Sequence, residues 1–278
     1  MAFGPFVAGQ WGPEEWLTGR KPTGLICIDG DIYMFFQNLK NGFSNNPFGD
    51  APHGSISMTR DRGLHWEWDR SQPMFTDYVF TTGWFLDYGR GQQYAMDDYV
   101  YVYGLDYNWR WADNFAQTKV YLARVDKEEI MNREAWEFYA GMFGGEPGWS
   151  REIGHRAPVI VDETEYMEEY SGICQGSVVY IPQLNRYLYS TRSCNEWIFW
   201  EAPRPWGPWT RVSVIEWKRG WTPDFHPGYP AVIPSKFLDE DGLGGWIISS
   251  LSSSTWDGMF YNMAMRRFWL KAELVIEE

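Results

Sequence analysis

The chain is a succession of short runs of β-branched and aromatic residues broken by Gly, Pro, Asn and Asp, and this punctuation constrains its fold more than any other feature. Short runs alternating in polarity read as strands. Only Lys127 to Tyr139 resembles a helix. The pattern therefore predicts an all-β chain with one short helical insert. A first unit runs from TGLICI through an Asp29-Gly30 turn into DIYMFFQN, then to SISMT and HWEWD. Asp-Gly between alternating strands is a strong hairpin signal, because both residues tolerate positive φ. Four strands in about 50 residues match the size and form of one propeller blade.

Three further units keep this rhythm without repeating the sequence. The second holds GWFLDYG, DDYVYVYGLD, KVYLARV and, past the helical insert, AWEFYAG. The third holds GSVVYIP, RYLYSTRS, EWIFWEA and TRVSVIEW, and the fourth YPAVIPSKF, GWIISSLS, YNMAMRRFWL and AELVIEE. The expectation is one domain over residues 1–278, a β-propeller of four recognisable blades, with a fifth if residues 1–20 help to close the ring. A β-sandwich is the alternative, since alternation alone does not separate the two. In a propeller each blade opens with an inner strand whose early residues line the central channel.

Composition narrows the partners. With 18 Trp, 17 Tyr and 17 Phe, the apolar mass is aromatic, which suits strands and also offers flat faces to sugar rings. A net charge of −13 disfavours nucleic acid and anionic membrane surfaces. No apolar run reaches the roughly 18 residues that cross a bilayer. The start MAFGPFVAGQWGPEEW lacks a basic region followed by an apolar core, so no signal peptide is written there, although a mature secreted form would look the same. Three cysteines without CxxC spacing and four histidines predict neither a metal site nor a cofactor. Pairing Ile181 with Tyr187 across the turn at Pro182 to Asn185 would set Cys174 opposite Cys194, as a disulfide or as two buried thiols.

Thr59-Arg60-Asp61-Arg62-Gly63-Leu64-His65-Trp66 fits the pattern S/T-x-D-x-G-x-T-W except at His65, and resembles the Asp-box turn of sialidases and other carbohydrate-active propellers. Asp61 can bond the backbone of its own turn, Gly63 can take positive φ and Trp66 can pack beneath, so these three residues are expected to be structural. A broader resemblance rests on KPTGLICIDGDIYMFFQN, TRDRGLHWEW, FLDYGRGQQYAMDDYVYVY, VYLARVDKEEIMNREAWEFYAG with PGWS, SVVYIPQLNRYLYS and EAPRPWGPWTRV, in that order. Over most of its length the chain resembles a family long described as a domain of unknown function and associated with endo-D-arabinanases of the mycobacterial cell wall. That resemblance implies an extracellular or cell-surface glycoside hydrolase acting on a polysaccharide. Family members carry an additional blade before the segment matching KPTGL, where the catalytic carboxylates are thought to lie. Only 20 residues precede Lys21 here, holding Glu14 and Glu15 without that pattern. Set against that family pattern, the expectation is a fragment, a propeller with fewer blades, or one that has lost the chemistry.

Glycosidic cleavage uses two carboxyl groups, one protonated and one ionised. Asp87 in WFLDYGR, where the family tends to carry Asn, is a catalytic candidate if it faces the channel, and otherwise a polar wall residue. Asp97 and Asp98, paired before YVYVY, could split their pKa values, or one could cap the turn while the other is solvated. Asp29 belongs to the hairpin turn, and Asp31 is a weaker candidate. Lys21, Arg90, Gln175 and Tyr229 are expected near the channel ends as hydrogen-bonding partners of sugar hydroxyls, with Trp84 as the stacking residue on the inner rim. Trp206 to Trp209 is expected to be an outer turn packed between strands, and GGEPG a flexible loop. No Ser-His-Asp order, P-loop or dinucleotide fingerprint is present. What the family resemblance implies is an endo-acting, inverting hydrolase of a D-arabinan-type furanoside polymer, and the alternative expectation is a noncatalytic glycan-binding propeller.

Overall fold

The computed structural model of the chain describes residues 19–40, 50–106, 119–162, 173–192, 196–216, 225–226, 231–253 and 262–271. The first strand group contains β1 (Gly19–Ile28), β2 (Asp31–Lys40) and β3 (Asp50–Thr59), antiparallel and adjacent in that order. Ile28 pairs with Asp31, and Asp29 (φ 50°) and Gly30 (φ 98°) make the tight turn expected of Asp-Gly. HWEWD adds one bridge, Glu67 to Met58.

The second group contains β4 (Thr82–Asp87), β5 (Tyr99–Leu105), β6 (Lys119–Asp126), β7 (Glu137–Phe143), β8 (Glu146–Ser150) and β9 (Pro158–Val161). The expected helical insert is absent from Lys127 to Tyr139, where the only helical element is the 3₁₀ turn Arg133–Ala135. Trp136 and Phe138, two residues apart, are both buried in the core, and Trp136 Nε1 donates to Ile130 O at 3.1 Å. Burial of those rings at strand spacing outweighs local helix preference. GGEPG is likewise no loose loop. Gly144 (φ 61°) and Gly145 (φ 93°) form a two-residue turn that pairs Phe143 with Glu146.

The third group contains β10 (Ser177–Ile181), β11 (Arg186–Arg192), β12 (Glu196–Ala202) and β13 (Thr210–Glu216). Ile181 pairs with Arg186, one residue off the register that would set positions 174 and 194 opposite each other. Cys174 is a buried free thiol, while Cys194 lies outside the described residues. The last group contains β14 (Phe225–His226), β15 (Gly244–Ser253) and β16 (Asn262–Trp269), with Val232 bridged to Ile248.

Inner segments join these groups. β4 and β10 pair in parallel through Val178–Leu86 and Val179–Asp87, merging the second and third groups into one curled sheet. β1 lies so close to β4 that a Cβ on Gly24 would stand 2.7 Å from Trp84 Cα, and Thr23 Oγ1 donates to Gly83 O at 2.7 Å. On the far side of β10, Ile233 N donates to Ser177 Oγ at 3.0 Å and Ser190 Oγ donates to Ala231 O at 2.8 Å. β1, β4, β10 and residues 231–233 therefore stand side by side in chain order. Their starts define an entry end and their finishes an exit end.

Apolar cores fill the spaces between groups. Between the first and second, Phe75 packs on Phe35, Phe80, Trp136 and Phe138. Between the second and third, Trp84 stacks on Tyr189 with ring centroids 5.7 Å apart. The Trp206 to Trp209 turn packs onto this second core, where Tyr103 OH donates to Pro205 O at 2.7 Å.

Candidate functional site

Lys21 on β1 pairs with Gln37 on β2, whose Nε2 donates to Thr82 Oγ1 at the start of β4. From the third group, Cys174 N donates to Arg192 O at 3.3 Å, while Cys174 O accepts from Tyr189 OH and Thr191 Oγ1. Lys21 lies within electrostatic reach of both Arg192 and Cys174. Burial pushes its ammonium down to about 8, Arg192 acts in the same direction and Cys174 opposes them. Burial also pushes the Cys174 thiol up, against Arg192 and Lys21.

Three strand groups thus bring Lys21, Gln37, Thr82, Gln175 and Arg192 to the entry end. Gln37, Asn38, Thr82, Gln175 and Arg192 are all buried. Asn38 Nδ2 and Gln175 Oε1 have no hydrogen-bond partner among the described residues. An unmatched buried polar atom costs about 1–3 kcal/mol, and one ligand hydroxyl, which both donates and accepts, can satisfy either kind. Glu196, at the start of β12, supplies a buried carboxyl at the same end of the third group. Among the described residues, no group of three His, Cys, Asp or Glu is arranged to hold a metal.

The three acids singled out from the sequence lie elsewhere. Asp87 is the last residue of β4 and not an early one. Its Oδ1 accepts from Gly89 N at 2.9 Å and its Oδ2 from Ser235 N at 2.8 Å, which ties the second strand group to the fourth. Asp97 accepts from Tyr99 N at 3.0 Å and from Tyr101 OH at 2.7 Å, the pattern of a turn cap. Asp98 is exposed beside Lys127, 3.4 Å away. Five residues at about 3.3 Å each put Asp87 roughly 16 Å from Thr82 along the strand. Carboxyl pairs of glycosidases stand about 5–9.5 Å apart, so Asp87 and an entry-end carboxyl do not serve one bond.

Arg90 follows Asp87 at the exit end and lines a cleft of about 230 Å³. Trp84 is 2% exposed, and the ring face proposed for a sugar is covered by Tyr189. Asp29 occupies the hairpin turn, and Asp31 lies 3.5 Å from Arg60. Tyr229 falls outside the described residues. Asp61 is the hub of its turn, accepting from Thr59 Oγ1 at 2.8 Å and from His65 N at 2.9 Å. The His65 backbone and ring, with Thr59, hold its carboxyl well below the usual carboxylate range. Gly63 has φ 91°, and Trp66 Nε1 donates to Gly63 O at 3.1 Å. Gln37, Asn38, Arg192 and Glu196 were not anticipated. The one signal in the sequence was an amide pair closing the otherwise apolar run DIYMFF.

Residues 8–265 match the family described as Domain of unknown function (DUF4185). The chain belongs to this family. No curated protein matches this DUF4185 chain. Among solved structures it is similar to a xylan beta-1,4-xylosidase from Bacillus halodurans C-125, with 11% identity over 91% of this chain and 43% of that one, at a TM-score of 0.52. It is also similar to a GH43_1 enzyme from Xanthomonas citri, with 13% identity over 91% of this chain and 71% of that one, at a TM-score of 0.51. A family 117 glycoside hydrolase from Zobellia galactanivorans shares 12% identity over 88% of this chain and 59% of that one, at a TM-score of 0.47. The DUF4185 chain thus spans about three fifths of the Zobellia protein and under half of the Bacillus one. At these identities the likeness is one of fold, and the all-β curled sheet is propeller-like.

Proposed function

We propose that this protein is a carbohydrate-active propeller of the glycoside hydrolase type that binds its glycan at the entry end. The observation that carries the reading is the convergence there of buried amides and cations from three strand groups, with Asn38 Nδ2 and Gln175 Oε1 unmatched. Such a lining suits a neutral, hydroxyl-rich ligand, and the −13 net charge of the chain disfavours a polyanion. The substrate class proposed is a D-arabinan-type furanoside polymer outside the cell, cleaved internally with inversion by one general acid and one general base. Glu196, the buried carboxyl that opens β12 at the same end of the third strand group, is the candidate for one of these two roles. Similarity to xylosidase and other glycoside hydrolase structures supports the reading through the shared fold.

A second reading, glycan binding without turnover, is favoured by one specific observation. Asp87 and Asp97 each spend both carboxylate oxygens on hydrogen bonds within the protein. Incubating the purified protein with arabinogalactan separates the two. Released oligosaccharides that vanish in Glu196→Gln and persist in Asp97→Asn support the hydrolase. Binding without release supports the second reading, and loss of release in Asp97→Asn alone moves the chemistry to the exit end.

A further inference from the structure

The exit-end cleft opens between three segments that follow the inner strands. Gly89, Arg90, Gln93 and Tyr94 come from beyond β4, Tyr180, Pro182 and Gln183 from the end of β10, and Ser235, Lys236 and Leu238 to Glu240 from the fourth group. Its walls are fixed by the fold. Gly89 has φ 89°, and a Cβ there would stand 2.8 Å from Tyr94 Cδ2, so the Tyr94 ring lies against bare backbone while remaining 42% exposed. Gln183 Nε2 donates to Glu240 O at 2.7 Å, tying the second wall to the third.

Asp239 carries the cleft outward to an aromatic surface. Its carboxylate accepts two bonds from Arg267, at 2.8 and 2.5 Å. The Arg267 guanidinium lies 5.7 Å from the centroids of both Trp246 and Trp269. Trp246 is 39% exposed and Trp269 is 74% exposed. Strand pairing sets Trp269 opposite Gly244 and Arg267 opposite Trp246, at the exit end of β15 and β16. Exposed indole rings beside a charged fork are flat and amphipathic, which suits the C–H face of a sugar. Inside the cleft Arg90 and Lys236 donate while Glu240 accepts, a mixed set that matches hydroxyls better than an anion.

We infer that the exit-end cleft and the Trp246–Arg267–Trp269 surface form a second glycan site, which holds a neutral segment of the same polymer away from the chemistry. The inference rests on the proposed carbohydrate function. About 230 Å³ is below the roughly 300–1,000 Å³ of drug-sized ligand sites, so the cleft takes a short chain end or one or two sugar units. Two sites on one protein raise affinity for a long polymer through effective concentration and leave short substrates unaffected.

The test uses the whole protein, arabinogalactan, and short oligosaccharides released from it, with Tyr94→Ala and Trp269→Ala. Both side chains are exposed, and unchanged melting verifies folding of each variant. The expected result is a roughly tenfold loss of arabinogalactan affinity in each variant, with unchanged turnover of the short oligosaccharides. Unchanged polymer affinity in both variants overturns the inference. Loss of short-substrate turnover also overturns it, because the cleft would then be the catalytic centre. If the wild type binds arabinogalactan and releases nothing, the hydrolase reading fails, and the second site is still decided by the binding comparison. A wild type that does not bind arabinogalactan removes both.

Discussion

The entry and exit ends are built from the same inner strands and differ in what has been done with their polar atoms. At the entry end Gln175 and Asn38 are buried with unmatched amide atoms, beside a lysine pushed down to about 8. At the exit end Asp87 accepts the backbone N–H groups of Gly89 and Ser235, and Asp97 caps the start of β5. Asp87 and Asp97 are therefore carboxylates whose oxygens the fold already uses, while Asp98 is solvated beside Lys127. Capacity for chemistry or recognition follows unspent hydrogen-bonding potential in a buried setting more closely than it follows residue type.

The largest expected effect concerns the layer between the two ends. Trp84→Ala empties a buried site stacked on Tyr189 and should destabilise the protein by about 3–5 kcal/mol in urea unfolding. A loss below about 1 kcal/mol with abolished glycan binding would return Trp84 to the ligand surface. Asp87→Ala is next. It strips an acceptor from two backbone N–H groups, one of them across strand groups, and should cost on the order of 2 kcal/mol. Turnover per folded molecule should be unchanged. Unaltered melting with abolished turnover would reverse the assignment of the two ends.

Local features of the fold were legible in the sequence. The Asp29-Gly30 hairpin and most of the strand runs depend on neighbours a few residues apart and form where the pattern put them, whereas HWEWD and YPAVIPSKF supply only isolated bridges and AELVIEE lies outside the described residues. Lys127 to Tyr139 was misread because its composition suits a helix while Trp136 and Phe138 are needed by a distant core. Asp87 was misplaced because the sequence marks a strand without marking which end faces which. Lys21 and Gln175 could be named, but their convergence with Gln37 and Arg192 depends on cross-strand register and on packing between strand groups. A single sequence carries no signal for either. Glu196, at the head of EWIFWEA, looked like any acid opening a strand.

Two smaller effects sharpen the entry-end assignment. Gln175→Leu replaces an amide that has an unmatched acceptor with an apolar group of similar size, so stability should hold or rise while glycan affinity falls about tenfold, near 1.4 kcal/mol. Calorimetry and unfolding on the same samples read both, and a fall in stability with intact affinity would make Gln175 a structural residue. Lys21→Gln tests the buried ammonium. Its pKa is about 8 in the folded protein, against an ordinary 10.5. Between these values the unfolded chain binds more protons, so wild-type stability rises with pH there relative to Lys21→Gln. Below pH 8 the penalty is fully present, and the variant should be more stable by about 1 kcal/mol, allowing for the solvent-facing part of the side chain. A stability difference that stays constant from pH 7 to 10.5 would show that burial does not set this pKa.

The smallest effect belongs to Asp61, in the turn that follows β3, two strands out from β1. Its carboxylate accepts from Thr59 Oγ1 and His65 N, and its second oxygen meets His65 Nδ1 at 2.6 Å. Those bonds hold the ionised form, so the folded pKa lies below the unfolded one and the turn gains stability above the ordinary value of 3.8. As pH falls toward the folded pKa, that contribution disappears. Asp61→Ala should therefore lower the melting temperature modestly at pH 7, by an amount that shrinks as the pH drops below 3.8. The turn is solvent-facing, and Gly63 N retains its bond to Thr59 Oγ1 at 3.0 Å in the absence of the carboxylate, which keeps the loss small. Glycan turnover per folded molecule should not change. Abolished turnover at an unchanged melting temperature would place chemistry in this turn, on the outer strand of the first group.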